Sequence, residues 1–158
     1  MQILIIDDEG NLRRMLRALL ESEGYSVGEA ESAEAGLSLT DAVHPEVILL
    51  DLALPGISGL DALAPLSRAC PGSPIIMMSG HAEKHRVYAA RDAGVTEFLV
   101  KPITAKAILD RINAVIFRPR PFVKTATYFG PCRRRREADD YCGPFRRSAD
   151  GAAASNAA

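Results

Sequence analysis

No apolar run in the chain of 158 residues approaches the roughly 18 residues of a membrane-spanning helix, so no helix is expected to span a membrane and no membrane partner is expected. Cysteine is scarce. Cys70, Cys132 and Cys142 have no zinc-ligand spacing and leave one odd thiol, so reduced cytosolic thiols are expected rather than a disulfide framework. The opening residues Met1-Gln2-Ile3-Leu4-Ile5-Ile6-Asp7-Asp8 lack a basic leader and reach acid too soon for a signal peptide. A helix-turn-helix or other compact DNA-binding pattern is also missing. Together these absences point to a soluble cytoplasmic protein.

What is present fits one ordinary globular domain, with 47% hydrophobic and 25% charged residues. The net charge of −1 hides a division. Residues 1–117 carry 10 Lys and Arg against 16 Asp and Glu, a net of −6, whereas residues 118–158 carry 9 against 4, a net of +5. An acidic body therefore bears a basic tail, which concerns partners rather than fold.

Short apolar runs at residues 2–6, 25–29, 46–51, 74–78 and 95–100 read as strands, the second weakly. Helical patterns fall between and after them. Leu12, Met15, Leu16, Leu19 and Leu20 form one apolar face, and Gly24 stops that helix. Weaker helices are expected over residues 33–42, 59–69 and 83–93. Pro65 sits inside the third helix, where proline kinks or shortens it. Thr104 caps a last helix whose face is Ile108, Leu109, Ile112, Val115 and Ile116. Five strands alternating with five helices predict a parallel sheet with helices on both faces.

The solidly apolar run Val47-Ile-Leu-Leu50 ends in Asp51, as a strand buried on both faces would at the lip of a sheet. Alone, Asp51 reads better as a cap for the next helix than as a chemical group. Strands one, four and five end similarly, in Asp7 and Asp8, in Ser79, and in Lys101, so four polar strand ends share one rim. Crowded carboxylates repel one another unless a cation compensates, and an all-oxygen acidic set suits Mg²⁺. A carboxylate can act as the nucleophile that forms an aspartyl-phosphate. Phosphoryl transfer then needs positive charge and hydrogen bonds around the phosphoryl oxygens, which Mg²⁺, Lys101 and Ser79 can supply.

These residues resemble the receiver domain of two-component response regulators over residues 2 to about 117. The resemblance rests on Asp7-Asp8, on Asp51 with Pro55 and Gly59, on Ser79, and on Lys101-Pro102, in order and at the family's intervals. It implies a flavodoxin-like doubly wound sheet of order 2-1-3-4-5. It also implies phosphorylation of Asp51 by a histidine kinase or a histidine phosphotransfer protein. Asp8, Asp51 and the Ala53 backbone carbonyl would hold Mg²⁺, with Asp7 acting through water. A cis bond before Pro102 would place Lys101. Ser79 and Phe98 would form the switch that reshapes the face of the fourth helix, fifth strand and fifth helix, which would bind a downstream protein or a second copy of the chain. Phe98 as a permanent core aromatic is the alternative. Leu54 replaces the methionine of many receivers, a volume-conserving change. Ala53 and His81 stand where the family tunes phosphoryl lifetime; His81 reads equally as a solvated loop residue.

Beyond residue 117, Arg118-Pro-Arg-Pro-Phe122 reads as a stiff linker. A repeat, Tyr-x-Gly-Pro-x-Arg-Arg, then occurs twice, at Tyr128, Gly130, Pro131, Arg133, Arg134 and at Tyr141, Gly143, Pro144, Arg146, Arg147. Gly-Pro signals a turn, and neither copy has an apolar face, so the tail of residues 118–158 is expected to be largely disordered alone. Docking on an acidic protein face, a solubilising role, and single-stranded nucleic-acid binding through arginines and aromatics are its three readings. The function expected is a response regulator that switches a partner on phosphorylation, an enzyme only toward its own phosphoryl group. A nucleic-acid-binding tail and a receiver-like module that is never phosphorylated are the alternatives.

Overall fold

Isoleucine, leucine and valine crowd the strands because both faces of the sheet are covered, and the computed structural model shows how. It describes residues 1–80, 95–117, 122–125 and 128–131. The order is β1 (Gln2–Ile6), α1 (Gly10–Ser22), β2 (Ser26–Ala30), α2 (Ala33–Val43), β3 (Val47–Asp51), α3 (Gly59–Ala69), β4 (Ile75–Ser79), β5 (Glu97–Val100) and α4 (Ala105–Phe117). The helix expected over residues 83–93 lies outside the described residues. Strands β1–β5 form one parallel sheet in the order β2-β1-β3-β4-β5, as expected.

Period-two alternation divides the core into two layers. Leu4, Ile6, Ile48, Leu50, Ile75 and Met77 pack on Ala33, Ala62, Leu63 and Leu66, which puts α2 and α3 on one face. Ile3, Ile5, Val47, Leu49, Ile76, Met78 and Leu99 pack on Leu16, Leu20, Ile108, Ile112 and Val115, which puts α1 and α4 on the other. Val47, Ile48, Leu49 and Leu50 of β3 are all fully buried. At roughly 1.5–3 kcal/mol for each fully buried aliphatic side chain, this strand offsets the several kcal/mol of burying the carboxylate at its end. The middle strand tolerates a costly carboxylate at its end because its own buried side chains stabilise the sheet so strongly.

Several details differ from expectation, among them the start of β5, which lies two residues later, at Glu97. Strands β2 and β4 begin and end one residue later, at Ser26–Ala30 and Ile75–Ser79. Met15 stands exposed on the flank of the α1 stripe, while Leu16 and Leu20 carry the burial. Helix α3 runs unbroken through Pro65. The bond that proline removes belongs to the carbonyl of Asp61, an exposed residue of the first turn that is open to solvent. By contrast, Thr104 caps α4 as expected, accepting from the Ala107 amide at 3.2 Å.

In the tail, β6 (Phe122–Thr125) and β7 (Tyr128–Pro131) form an antiparallel pair with Phe122 opposite Pro131 and Thr125 opposite Tyr128. Thus Gly130-Pro131 of the first repeat belongs to a strand, not to the turn that the dipeptide suggests. Proline lacks an N–H and is tolerated on a strand that needs no ladder donor there. Arg133, Arg134, and the second copy from Tyr141 through Gly143, Pro144, Arg146 and Arg147 lie outside the described residues.

Candidate functional site

Parallel strands deliver their last residues to the same rim. Asp7 follows β1, Asp51 closes β3, Ser79 closes β4, and Lys101 follows β5. Asp7, Asp51 and Ser79 are buried. The Lys101 ammonium reaches in to lie 2.8 Å from Asp7 Oδ2 and 3.2 Å from Asp51 Oδ2. The Lys101–Pro102 peptide is cis. The Lys101 amide donates to the Ser79 carbonyl at 2.8 Å, so the ends of β4 and β5 are joined just where their polar side chains emerge.

One ammonium serves two buried carboxylates, and it is not enough. Among the described residues, Asp7 Oδ2 is matched only by the Lys101 charge, and Asp51 Oδ1 has no hydrogen-bond partner. Burial, and then the Asp7 charge, push the Asp51 carboxyl above its usual range; Lys101 and the Ala53 amide pull the other way and lose. Burial alone would lower Lys101, but the Asp7 and Asp51 carboxylates more than reverse this and hold its ammonium above the usual lysine range. Asp8 adds a third, exposed carboxylate. Oxygen atoms of Asp7, Asp8 and Asp51 lie within 4.8 Å of one another. An orphaned buried oxygen, a charge deficit and an all-oxygen donor set fit a hard divalent cation.

Backbone contacts hold this cluster in place. The Asp7 amide donates to the Ala30 carbonyl at 3.1 Å, and the Glu9 amide donates to Asp7 Oδ1 at 2.8 Å. The Arg13 guanidinium, from the first turns of α1, donates to the Asp7 carbonyl. Behind β3, the start of α3 presses on the strand. A Cβ at Gly59 would collide with the Asp51 carbonyl and meet Leu52 Cα at 2.9 Å, and the Gly59 amide donates to the Leu52 carbonyl. Gly56 takes φ +76° in the loop between β3 and α3. There the Glu34 carboxylate of α2 is held below its usual range, chiefly by its own backbone N–H and with help from Ser32 and the Ile57 amide.

Asp7, Asp8, Asp51, Ser79 and Lys101 are therefore brought together at the end of one sheet. Ala53 is exposed beside them, leaving that approach open. Phe98 lies opposite Met77 and packs, half-buried, against the α2–α3 layer of the core. His81 lies outside the described residues. Arg13 and Glu34 carry no signal of a role in the site, whereas Gly59 belongs to the motif around Asp51 although its close approach to the strand is not written in the sequence. The spacing of Arg13, Arg17 and Glu21 shows only that they share one side of α1.

Comparison with known proteins gives the same answer from another direction. The response regulator receiver domain family matches residues 3–113. The transcriptional regulatory protein ResD of Bacillus subtilis is 32% identical over 117 residues, covering 74% of this chain and 48% of ResD. The KDP operon transcriptional regulatory protein KdpE of Escherichia coli is 35% identical over 128 residues, covering 77% of this chain and 56% of KdpE. The chain thus spans about half the length of these two relatives. A CheY-like receiver domain protein from Methanospirillum hungatei superposes with a TM-score of 0.70 at 28% identity, covering 74% of this chain and 94% of that one.

Proposed function

The chain belongs to the response regulator receiver domain family, and on that premise we propose that it is a phosphorylation-activated response regulator with Asp51 as its phosphoacceptor. The donor is a phosphohistidine on a histidine kinase or a histidine phosphotransfer protein. An Asp51 oxygen forms the new O–P bond as the N–P bond breaks, and the imidazole nitrogen keeps the electron pair and takes up a proton. The observation that carries this reading is the buried Asp51 carboxylate with one unpartnered oxygen beside an ammonium already shared with Asp7.

Asp7, Asp8, Asp51 and the Ala53 carbonyl would hold Mg²⁺, which supplies the charge neutralisation that three carboxylates and an incoming phosphoryl group require. Lys101 faces the phosphoryl oxygens, and Ser79 donates to one of them after a small movement. Ser79 adjoins Val100 across the sheet, so its displacement is felt in β5, where Phe98 is half-buried and Val100 exposed. A dianion on Asp51 thereby selects between two packings of the face made by β5 and α4. That face binds the downstream protein or a second copy of the chain. The protein acts by contact, in the cytoplasm, and its catalysis is confined to accepting and hydrolysing its own phosphoryl group. A module that is never phosphorylated would have no use for an uncompensated buried carboxylate.

The test uses a small phosphodonor such as acetyl phosphate with Mg²⁺. One acid-labile and base-labile phosphate per chain is expected, absent without Mg²⁺ and absent in Asp51→Ala. Labelling that persists in Asp51→Ala would remove Asp51 from its role.

A further inference from the structure

We propose that Arg13 is a positioning residue for the divalent-cation cradle, acting through the main-chain carbonyl of Asp7. This rests on the proposed reading of Asp7, Asp8 and Asp51 as the cation's ligands. The carbonyl of Asp7 belongs to the peptide that links the two carboxylates of the β1–α1 loop, so its orientation sets the direction in which Asp8 leaves the buried Asp7. Arg13 donates to that carbonyl. From the other side of the loop the Asp7 amide is fixed by Ala30, and the Asp7 carboxylate by the Glu9 amide. Without Arg13, Asp7 keeps the contacts of its amide and its carboxylate, while the Asp7–Asp8 peptide loses the contact at its carbonyl.

Arg13 is itself held. Its side chain is mostly buried, and its Nε lies 3.7 Å from Glu29 Oε2. Glu29 is in turn bound by Arg17 Nη1 at 2.9 Å, and Arg17 pairs with Glu21 at 2.8 Å. The chain of contacts runs from the outer face of α1, through β2, to the peptide between two cation ligands. Arg13 alone in that chain touches the ligand loop among the contacts described. Arg17 supports Glu29 and stops there.

Charge and positioning make opposite demands at this place. A guanidinium close to a cation site repels the cation, so as a mere charge Arg13 should weaken binding, and its removal should tighten it. As a donor that orients a ligand peptide it should strengthen binding, and its removal should weaken it. Outer partners of metal ligands typically contribute about 10–100-fold in affinity. Glu29, beside Arg13, offsets much of its charge, so the positioning effect should win.

The experiment titrates Mg²⁺ alone into the full chain at constant ionic strength, following amide chemical shifts, with unfolding measured in parallel. Arg13→Met should raise the Mg²⁺ Kd about tenfold. Arg13→Lys, which keeps a donor, should recover part of that loss. Arg17→Met, which breaks the outer contacts only, should stay within about twofold of the original protein, as expected for a residue without contact to the ligand loop. Unchanged or tighter binding by Arg13→Met overturns the proposal, as does an equal loss in Arg17→Met, which would make the effect one of the ion-pair network. If Arg13→Met does not fold, Arg13→Gln is judged by the same criteria. Failure of the original protein to bind Mg²⁺ would instead sink the reading of the acidic cluster itself.

Discussion

The two ends of the parallel sheet carry similar polar groups and treat them differently. At the amino ends of the strands, Ser73, Thr96 and Glu46 each have a nearby partner. Ser73 Oγ donates to the Pro45 carbonyl at 2.7 Å, Thr96 Oγ1 accepts from the Ile75 amide at 3.2 Å, and Glu46 accepts from the Gln2 amide at 3.0 Å. That end even has a cleft of about 200 Å³, lined by Thr40, Asp41, His44, Cys70 and Ser73 among others. Yet burial, with the Asp41 charge added, pushes the Cys70 thiol above its usual range and leaves it a poor nucleophile. At the carboxyl ends there is a charge deficit instead, with Asp51 Oδ1 unmatched. Unspent polarity, rather than concavity, distinguishes the end that can do chemistry.

Removing single groups at each end probes that difference. The largest effect is expected for Lys101→Met, which leaves Asp7 and Asp51 buried without their shared cation. Urea unfolding without Mg²⁺ should show a loss of about 3 kcal/mol. An unchanged midpoint would mean that the carboxylates do not depend on Lys101. Next, Thr96→Val strands the buried Ile75 amide at the satisfied end and should lower stability by about 2 kcal/mol. If it does not, that end tolerates orphaned groups as well and the contrast fails.

The smallest effect has the opposite sign. Asp51→Asn relieves a charge that the metal-free fold holds poorly and should stabilise it by about 1 kcal/mol. The pH dependence follows from the direction of the shift. Because the folded Asp51 carboxyl lies above its unfolded value, its favourable contribution is complete below the unfolded carboxylate range and is lost as pH rises through the folded value. Lys101, also raised, adds a contribution that persists until pH climbs through its folded value, above the usual lysine range. Melting temperature should therefore fall between acid and neutral pH in the original protein and fall less in Asp51→Asn. Parallel curves for the two proteins would contradict the assigned direction.

Much of this was legible in the residues, because a parallel sheet converts order along the chain into position on a rim. Four strands ending in Asp7, Asp51, Ser79 and Lys101 needed only the alternation of strands and helices to be placed together. What escaped depended on contacts that spacing does not encode. The guanidinium of Arg13 could have pointed to solvent like its neighbour Arg14; only the packed position of α1 turns it toward Asp7. Met15 matched the apolar stripe by spacing but sits at its edge. Pro65 looked disruptive because the rule against proline ignores which carbonyl is freed, and here it belongs to an exposed first turn. Gly130-Pro131 looked like a turn because a dipeptide carries no record of the strand opposite it.

Gly59 joins the site to the scaffold at the scale of one methyl group. Its missing Cβ is the clearance into which the Asp51 carbonyl fits, with the amide of the same residue bonded to Leu52. Any side chain there would act as a wedge between strand and helix, and the movable part would be the backbone that bears the reactive carboxylate. The outer surface of the rim, where Ala53 is exposed, can change while that seam stays closed. On the proposed reading, replacements on that surface would change how long a phosphoryl group persists without moving the carboxylate that carries it.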